Sequence, residues 1–221
     1  ATVAGLDVAK SGSKLRRQIG VVFQNGSLDK RLTVRENLVA QGQLQGMSGR
    51  LLNDRVDELI GEFGLKDRSG DETRTLSGGL RRKVEIAKAI IHRPRVLLLD
   101  EASTGLDPSA RREMWASLNH LRATSQVTIL FTTHLMDEAE NAGRLLLISR
   151  GRAVAEDSPQ HLKSRVGGDV VQFESSSPSF AGDLRERFQV EPVESGGQIS
   201  VETSAGHRFI ANAFDAFPGQ I

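Results

Sequence analysis

The sequence Val-Leu-Leu-Leu-Asp-Glu at residues 96–101 indicates a buried β-strand that ends in two carboxylates. A continuous apolar run of this length is typical of a central strand in a parallel sheet, because both of its faces are covered. Open α/β sheets bind ligands at the carboxyl ends of their strands, which is where Asp100 and Glu101 lie. Apolar strands that end in Asp are common, so the acidic pair alone indicates a catalytic site only weakly.

Strand-like and helix-like segments alternate on both sides of this run. Residues 15–24 predict a strand that delivers Gln24 to its exit. Thr33 and Glu36 have the capping-box spacing of a helix start, and Asp107-Pro108 combines an N-cap with proline at the first helical position. The alternation predicts a parallel α/β sheet, with a helical subdomain at about residues 30–92. Further strands are predicted at residues 127–133, 144–149 and 152–156, and further helices at residues 50–63, 76–91 and 136–141.

The composition changes near Gly167-Gly168. Six of the nine Phe residues lie beyond this point, in segments that predict a strand, a helix at residues 180–188, a turn at Gly196-Gly197, a strand at residues 198–203 and a closing helix. The sequence therefore predicts a first domain at residues 1–167 and a small C-terminal α+β domain at residues 168–221, with an aromatic core of its own.

Composition and charge exclude several classes of protein. The 221 residues contain no Cys, which rules out disulfides, thiolate metal sites and cysteine nucleophiles. Lys and Arg number 29 against 28 for Asp and Glu, so no net field favours nucleic acid or anionic lipid. The longest apolar runs are far shorter than the ~20 residues that span a bilayer, and the first residues do not resemble a secretory signal.

Four more features suggest chemistry, although each has an ordinary explanation. Leu76-Ser77-Gly78-Gly79 suits a helix start, but bare N–H groups at a helix N-terminus beside a serine hydroxyl also form a phosphate site. His134 follows the strand at residues 127–133 and is compatible with a simple strand-to-helix turn. Gln24 is uninformative alone, and an N-cap role explains Asp107 fully.

The order of these features is more informative than any one of them. Together they closely resemble the nucleotide-binding subunit of ATP-binding cassette (ABC) transporters, over residues 1 to about 165. The implied fold is an α/β, ABC-type P-loop NTPase core that is incomplete, with a helical signature subdomain and the C-terminal α+β domain. The resemblance implies that Gln24 is the Q-loop glutamine and that the signature motif consists of Leu76, Ser77, Gly78 and Gly79. It implies that Asp100 is the Walker B aspartate, which holds Mg²⁺ with Gln24, and that Glu101 is the catalytic glutamate. It further implies that Ser103 to Asp107 form the nucleotide-contacting D-loop and that His134 is the switch histidine.

Among such proteins the chain looks most like the drug-resistance exporters of the daunorubicin resistance type. This subgroup assignment depends on Leu80-Arg81-Arg82 after the signature motif and on the C-terminal extension. Leu80 replaces a glutamine that many family members carry, and Ala102 replaces a frequent proline after the catalytic glutamate. Both changes are tolerated elsewhere in the family.

One expected motif does not occur in these residues. Family members hold phosphate in a loop G-x-x-x-x-G-K-[ST], upstream of the strand that here begins near Thr2, and no Gly-Lys dipeptide is present. No aromatic residue precedes Phe23 to stack on adenine. The sequence therefore predicts an N-terminally truncated chain that lacks the Walker A region, binds MgATP poorly and does not hydrolyse it alone.

The resemblance implies an ABC-type ATPase that couples ATP binding and hydrolysis, at a head-to-tail dimer interface, to transport through a separate membrane subunit. The implied cofactors are ATP and Mg²⁺, and the partners are an integral membrane permease and a second nucleotide-binding subunit, with no nucleic acid. The implied location is cytoplasmic, at the inner face of the cell membrane. The alternative is a regulatory protein or fragment that lacks the P-loop and contributes only its signature motif in trans. ABC ATPases that act on DNA or ribosomes are disfavoured, since the chain has no long coiled coil, second cassette or basic excess.

Overall fold

A computed structural model describes residues 1–165, 168–175, 177–195, 197–203 and 205–220. The strands are β1 (Thr2–Val3), β2 (Leu6–Asp7), β3 (Ile19–Val22), β4 (Val96–Asp100), β5 (Thr128–Thr132), β6 (Leu145–Ser149), β7 (Arg152–Asp157), β8 (Asp169–Glu174), β9 (Val193–Ser195) and β10 (Gln198–Thr203). The α-helices are α1 (Gly12–Arg16), α2 (Val34–Leu44), α3 (Gly49–Glu62), α4 (Gly78–Ala89), α5 (Pro108–Ser125), α6 (Met136–Ala139), α7 (Pro159–Arg165), α8 (Phe180–Phe188) and α9 (Gly206–Ala216). Short 3₁₀ turns occupy Lys66–Arg68 and Thr73–Thr75. No helix in the described ranges combines the length and apolar content needed to cross a bilayer.

Three parallel strands organise the first part of the chain. Their order is β3-β4-β5, so β4 is the central strand, as its apolar run predicts. Val22, Leu99 and Phe131 pair across the three strands in register. Leu97 and Leu99 are almost completely buried. The register brings the carboxyl ends of all three strands to one edge, which is where the candidate site lies.

Helices α2, α3 and α4 lie between β3 and β4 in the sequence and pack on one another. The predicted capping box of α2 is confirmed, since Thr33 Oγ1 accepts the Glu36 N–H and the Glu36 carboxylate accepts the Thr33 N–H. The Thr33 backbone bond lowers the pKa of Glu36. One face of α3 packs into the core with four buried apolar side chains, those of Leu52, Val56, Leu59 and Ile60.

The structure differs from the sequence prediction in two short segments. Leu15 belongs to helix α1, and the following strand occupies only Ile19–Val22. One helical turn buries Leu15 and leaves the basic residues beside it exposed, which an alternating strand would not do. Helix α7 was not predicted, although Pro159 at its first position is a recognisable start signal.

The chain forms two compact units, Ala1–Glu138 and Ala139–Ile221. The second contains the antiparallel hairpin β6-β7 and an antiparallel sheet of order β8-β10-β9 that carries α8 and α9. Its aromatic core centres on the fully buried Phe180, whose ring lies 5.6 Å from Phe173 and 5.5 Å from Phe217. The predicted boundary residue Gly167 and the turn residue Gly196 lie outside the described residues, so the proposed domain boundary stays a prediction.

Candidate functional site

Asp100 and Glu101 share one hydroxyl group at the end of the central strand. Thr132 is the register partner of Asp100 on β5, and its Oγ1 donates to Asp100 Oδ1 at 2.7 Å. The same oxygen accepts the Glu101 N–H at 3.1 Å. Thr132 therefore fixes the side chain of the first carboxylate and the backbone of the second.

The backbone at Glu101 has an unusual conformation. Its φ of +42° lies in the left-handed region, which residues with a side chain rarely adopt. Thr104 stabilises the turn, because its N–H donates to the Glu101 carbonyl at 3.0 Å and its Oγ1 donates to Glu101 Oε2 at 3.3 Å. Strained backbone of this kind persists where surrounding contacts hold it, and it is frequent at functional sites.

Gln24 and His134 meet at Glu101 from the two outer strands. Gln24 follows β3 and donates its Nε2–H to Glu101 Oε2 at 3.0 Å. His134 follows β5, and its Nδ1 lies 3.5 Å from Glu101 Oε1. Residues more than 100 positions apart in the sequence thus contact one carboxylate, whose side chain is 33% exposed.

The Leu76–Gly79 segment forms the start of α4. Ser77 is its N-cap, and the Ser77 Oγ accepts the Leu80 N–H at 3.3 Å. A Cβ on Gly79 would lie 2.8 Å from the Ala110 Cβ, so glycine is required for α4 to approach α5 this closely. The structure brings Gln24, Glu101 and His134 together and places Ser77 to Gly79 against the start of α5.

Asp107 is the N-cap of α5, as predicted. Its Oδ1 accepts the N–H groups of Ser109 and Ala110, each at 2.9 Å. The bond from Ala110 is the main cause that lowers the pKa of Asp107, because it stabilises the charged carboxylate.

Asp107→Asn is expected to remove part of the acid sensitivity of the fold. Asn is an equally good N-cap but does not titrate. Because the folded-state pKa of Asp107 is lowered, its charge stabilises the protein above the unfolded pKa, and this contribution disappears as pH falls through the folded pKa. At pH 7, thermal unfolding monitored by circular dichroism should give a higher midpoint temperature for the unsubstituted protein than for the variant. The difference should shrink below about pH 4, near the ordinary pKa of Asp, and a gap that did not depend on pH would contradict this account.

Two groups of contacts were not predicted from the sequence. Thr132 was not identified as a site residue, although it is a hydroxyl residue at the end of a strand. A buried ion pair between Arg82 and Glu85 contacts the backbone around Gln24. Its only sequence signal is the spacing of opposite charges by three residues on a helix.

The chemistry of the site suits a magnesium ion with bound phosphates. Asp100 supplies carboxylate oxygens. Gln24 donates its amide N–H to Glu101, so the Gln24 amide oxygen is left as a ligand atom. Mg²⁺ prefers a few protein oxygens, with phosphate and water completing its octahedron. In the parts of the chain that the structure describes, no cluster of three or more His, Asp or Glu residues could hold a metal alone. A metal at this site would therefore need further ligands from water or a bound group.

Comparison with known proteins gives consistent results. Residues 2–104 match the family described as "ABC transporter". The daunorubicin resistance ATP-binding protein DrrA2 of Streptomyces coeruleorubidus is 43% identical over 173 residues, which cover 78% of this chain and 53% of that protein. The Nod factor export ATP-binding protein I of Burkholderia lata is 38% identical over 197 residues, which cover 88% of this chain and 64% of that protein.

A solved structure has the same fold. The ATP-binding subunit of an ABC transporter superimposes with a TM-score of 0.62 at 26% identity, and the match covers 75% of this chain and 69% of that one. The chain spans about half the length of the first curated relatives that it matches. Residues 2–104 of this chain thus match the ABC transporter family, and most of the chain is similar to ATP-binding proteins of ABC exporters.

Proposed function

We propose that this chain is part of the ATP-binding subunit of an ABC exporter, in which ATP binding and hydrolysis drive transport through a separate membrane subunit. The observation that carries the proposal is the meeting of Gln24 and His134 at Glu101. A carboxylate in contact with an amide and an imidazole at the carboxyl edge of a parallel sheet is suited to activating water beside a bound phosphate.

The roles of the side chains follow from their contacts. Glu101 accepts a proton from the attacking water, while Gln24 and His134 orient its carboxylate from opposite sides. Asp100, fixed by Thr132, supplies a ligand for Mg²⁺, which neutralises phosphate charge when it is bound. Positioning and charge neutralisation provide most of the catalysis of phosphoryl transfer, and this arrangement supplies the base and one metal ligand for it.

The start of α4 supplies the other half of a shared site. The N–H groups of Gly78 and Gly79 lie in the first turn, where the helix dipole favours an anion. In a head-to-tail dimer, the Ser77 hydroxyl and these groups contact the terminal phosphate of the ATP that the other subunit holds. Two copies then enclose two nucleotides, which makes their association dependent on ATP.

The helical subdomain of this chain has a surface that suits the docking of a membrane subunit. Residues of α3 and of the segment after α4 line a cleft of about 390 Å³. Leu51 is 70% exposed there, beside Met47 and Ile91, and charged residues such as Arg17 and Arg93 surround these apolar groups. An amphipathic cytoplasmic helix of a permease fits such a surface. This surface supports a position at the inner face of the membrane, in an exporter like those that the drug-resistance and Nod factor relatives are named for.

Substitution of Ser77 by Asp tests the proposal in a loop-bearing protein, which we define as residues 1–221 preceded by a segment with the G-x-x-x-x-G-K-[ST] motif. Asp caps a helix as well as Ser does, so α4 remains capped, but its charge repels phosphate. In sedimentation experiments the unsubstituted protein should dimerise with MgATP, and Ser77→Asp should stay monomeric.

Ser48→Asp is the matched control, because Ser48 is the exposed N-cap of α3. It should dimerise as the unsubstituted protein does. ATP-dependent dimerisation by Ser77→Asp would refute the role of this segment. Residues 1–221 without the loop should show no ATP-dependent change in mass, since they contain no loop that grips phosphate.

A further inference from the structure

We propose that Arg82 and Glu85 of helix α4 are positioning residues that place the Gln24 side chain on Glu101. The inference rests on the proposed function, because it gives the signature helix direct control of the glutamine at the catalytic carboxylate. It concerns one set of contacts between α4 and residues 23–27, which we call the Gln24 segment.

Arg82 binds the backbone on both sides of the Gln24 nitrogen. Its Nη1 donates to the Phe23 carbonyl at 2.9 Å, and its Nη2 donates to the Gln24 carbonyl at 3.3 Å. The Arg82 side chain is only 7% exposed. A buried guanidinium that bridges two consecutive carbonyls fixes the orientation of the peptide between them, and therefore the direction in which the Gln24 side chain leaves the backbone.

Glu85 completes the arrangement from the next turn of α4. Its Oε2 accepts from Arg82 Nη1 at 2.6 Å, and its Oε1 accepts the Ser27 N–H at 3.0 Å. A Cβ on Gly26 would lie 2.5 Å from the Glu85 Oε1, so the backbone passes directly over this carboxylate. Glu85 therefore balances the buried charge of Arg82 and holds the far end of the segment.

Lys88 adds a third contact on the same face of the helix. Its Nζ donates to the Ser27 carbonyl at 2.6 Å, and its partial burial lowers the pKa of Lys88. Arg82, Glu85 and Lys88 are spaced by three residues, which places them in one row on α4. This row holds the backbone of the Gln24 segment, while the Gln24 side chain is bonded to Glu101.

The segment is thus a rigid link between α4 and the central strand. A shift of α4 moves the Gln24 backbone with it, because the buried Arg82–Glu85 pair is hydrogen-bonded directly to the backbone of the segment. The same helix begins at Ser77, so a phosphate bound at the α4 N-terminus and the position of Gln24 are mechanically coupled. Arg82 and Glu85 act through Gln24 and do not contact the reacting atoms.

The side-chain amide signals of Gln24 in ¹H–¹⁵N NMR spectra of residues 1–221 test this inference without ATP. Gln24→Glu assigns the signals by their loss, and Glu101→Ala gives their position without the acceptor. In Glu85→Ala the Gln24 signals should move toward their position in Glu101→Ala. The Ser27 amide should exchange with solvent about tenfold faster, which corresponds to the loss of one hydrogen bond.

A double variant separates positioning from folding. Arg82→Met with Glu85→Leu replaces the whole buried pair by apolar side chains of similar volume, which proteins tolerate better than one unpaired charge. It should stay folded and still shift the Gln24 signals. Arg82→Lys, which retains a cationic N–H donor group, should shift them less than Glu85→Ala does.

The matched control is Lys83→Gln, because Lys83 lies on the same helix but pairs with Glu113 of α5 and not with the Gln24 segment. It should leave the Gln24 signals and Ser27 exchange unchanged. Unshifted Gln24 signals in the folded double variant would overturn the inference. That outcome would not affect ATP-dependent dimerisation, and failure of the dimerisation test would not affect the NMR result, so the two proposals fail independently.

Discussion

Substitution of Glu101 by Gln is expected to lower ATP hydrolysis by the loop-bearing protein by about 10²- to 10⁴-fold, the usual contribution of a general base. Gln has the shape of Glu, and its amide oxygen still accepts the Gln24 N–H. It cannot take a proton from water, so the structure of the site is retained while its chemistry is removed. Phosphate release under saturating MgATP measures the effect.

Glu113→Gln provides the control for this substitution. Glu113 is a surface residue of α5 that pairs with Lys83, so the same change in charge occurs away from the site. Its hydrolysis rate should match that of the unsubstituted protein. Undiminished hydrolysis by Glu101→Gln would show that another group activates the water.

Phe180→Ala is expected to destabilise the second unit by about 3–5 kcal/mol, the usual cost of removing a buried Phe ring. Phe180 is completely buried and makes edge-to-face contacts with Phe173 and Phe217. Denaturant unfolding followed by circular dichroism should show an early transition in the variant.

Phe214→Ala is the matched control in the same unit. Phe214 is 52% exposed on α9, so its loss should change stability by about 0.5 kcal/mol or less. Equal effects of the two substitutions would contradict the assignment of Phe180 to the core. Hydrogen exchange in β4 should be unaffected by Phe180→Ala, since this strand belongs to the other unit.

The sequence predicts those elements that local chemistry specifies. Residues 96–99 are apolar throughout and lie in the central strand, and Asp107-Pro108 starts α5 with an N-cap and a first-turn proline. Gln24 and His134 were identified from their order in the chain. Their meeting at Glu101 follows from the parallel arrangement of β3, β4 and β5, which brings the ends of these strands to one edge.

The contacts that depend on tertiary packing were not predictable in the same way. Thr132 lies opposite Asp100 only because of the register between β4 and β5, which no local pattern specifies. Arg82 and Glu85 have the sequence pattern of an exposed helix face, and they are buried because the Gln24 segment, 58 positions earlier, folds across them. Leu15 was assigned to a strand because a β-branched and aromatic run, residues 19–23, follows it closely.

Mixing two inactive variants of the loop-bearing protein tests the central claim most directly. In a head-to-tail dimer each site combines Glu101 of one subunit with Ser77 of the other. A dimer of one Ser77→Asp and one Glu101→Gln subunit therefore keeps one intact site. Each variant alone should hydrolyse ATP near background, and an equal mixture should hydrolyse it well above either variant, because each mixed dimer keeps one intact site out of two. A mixture that stays at background would contradict the shared site.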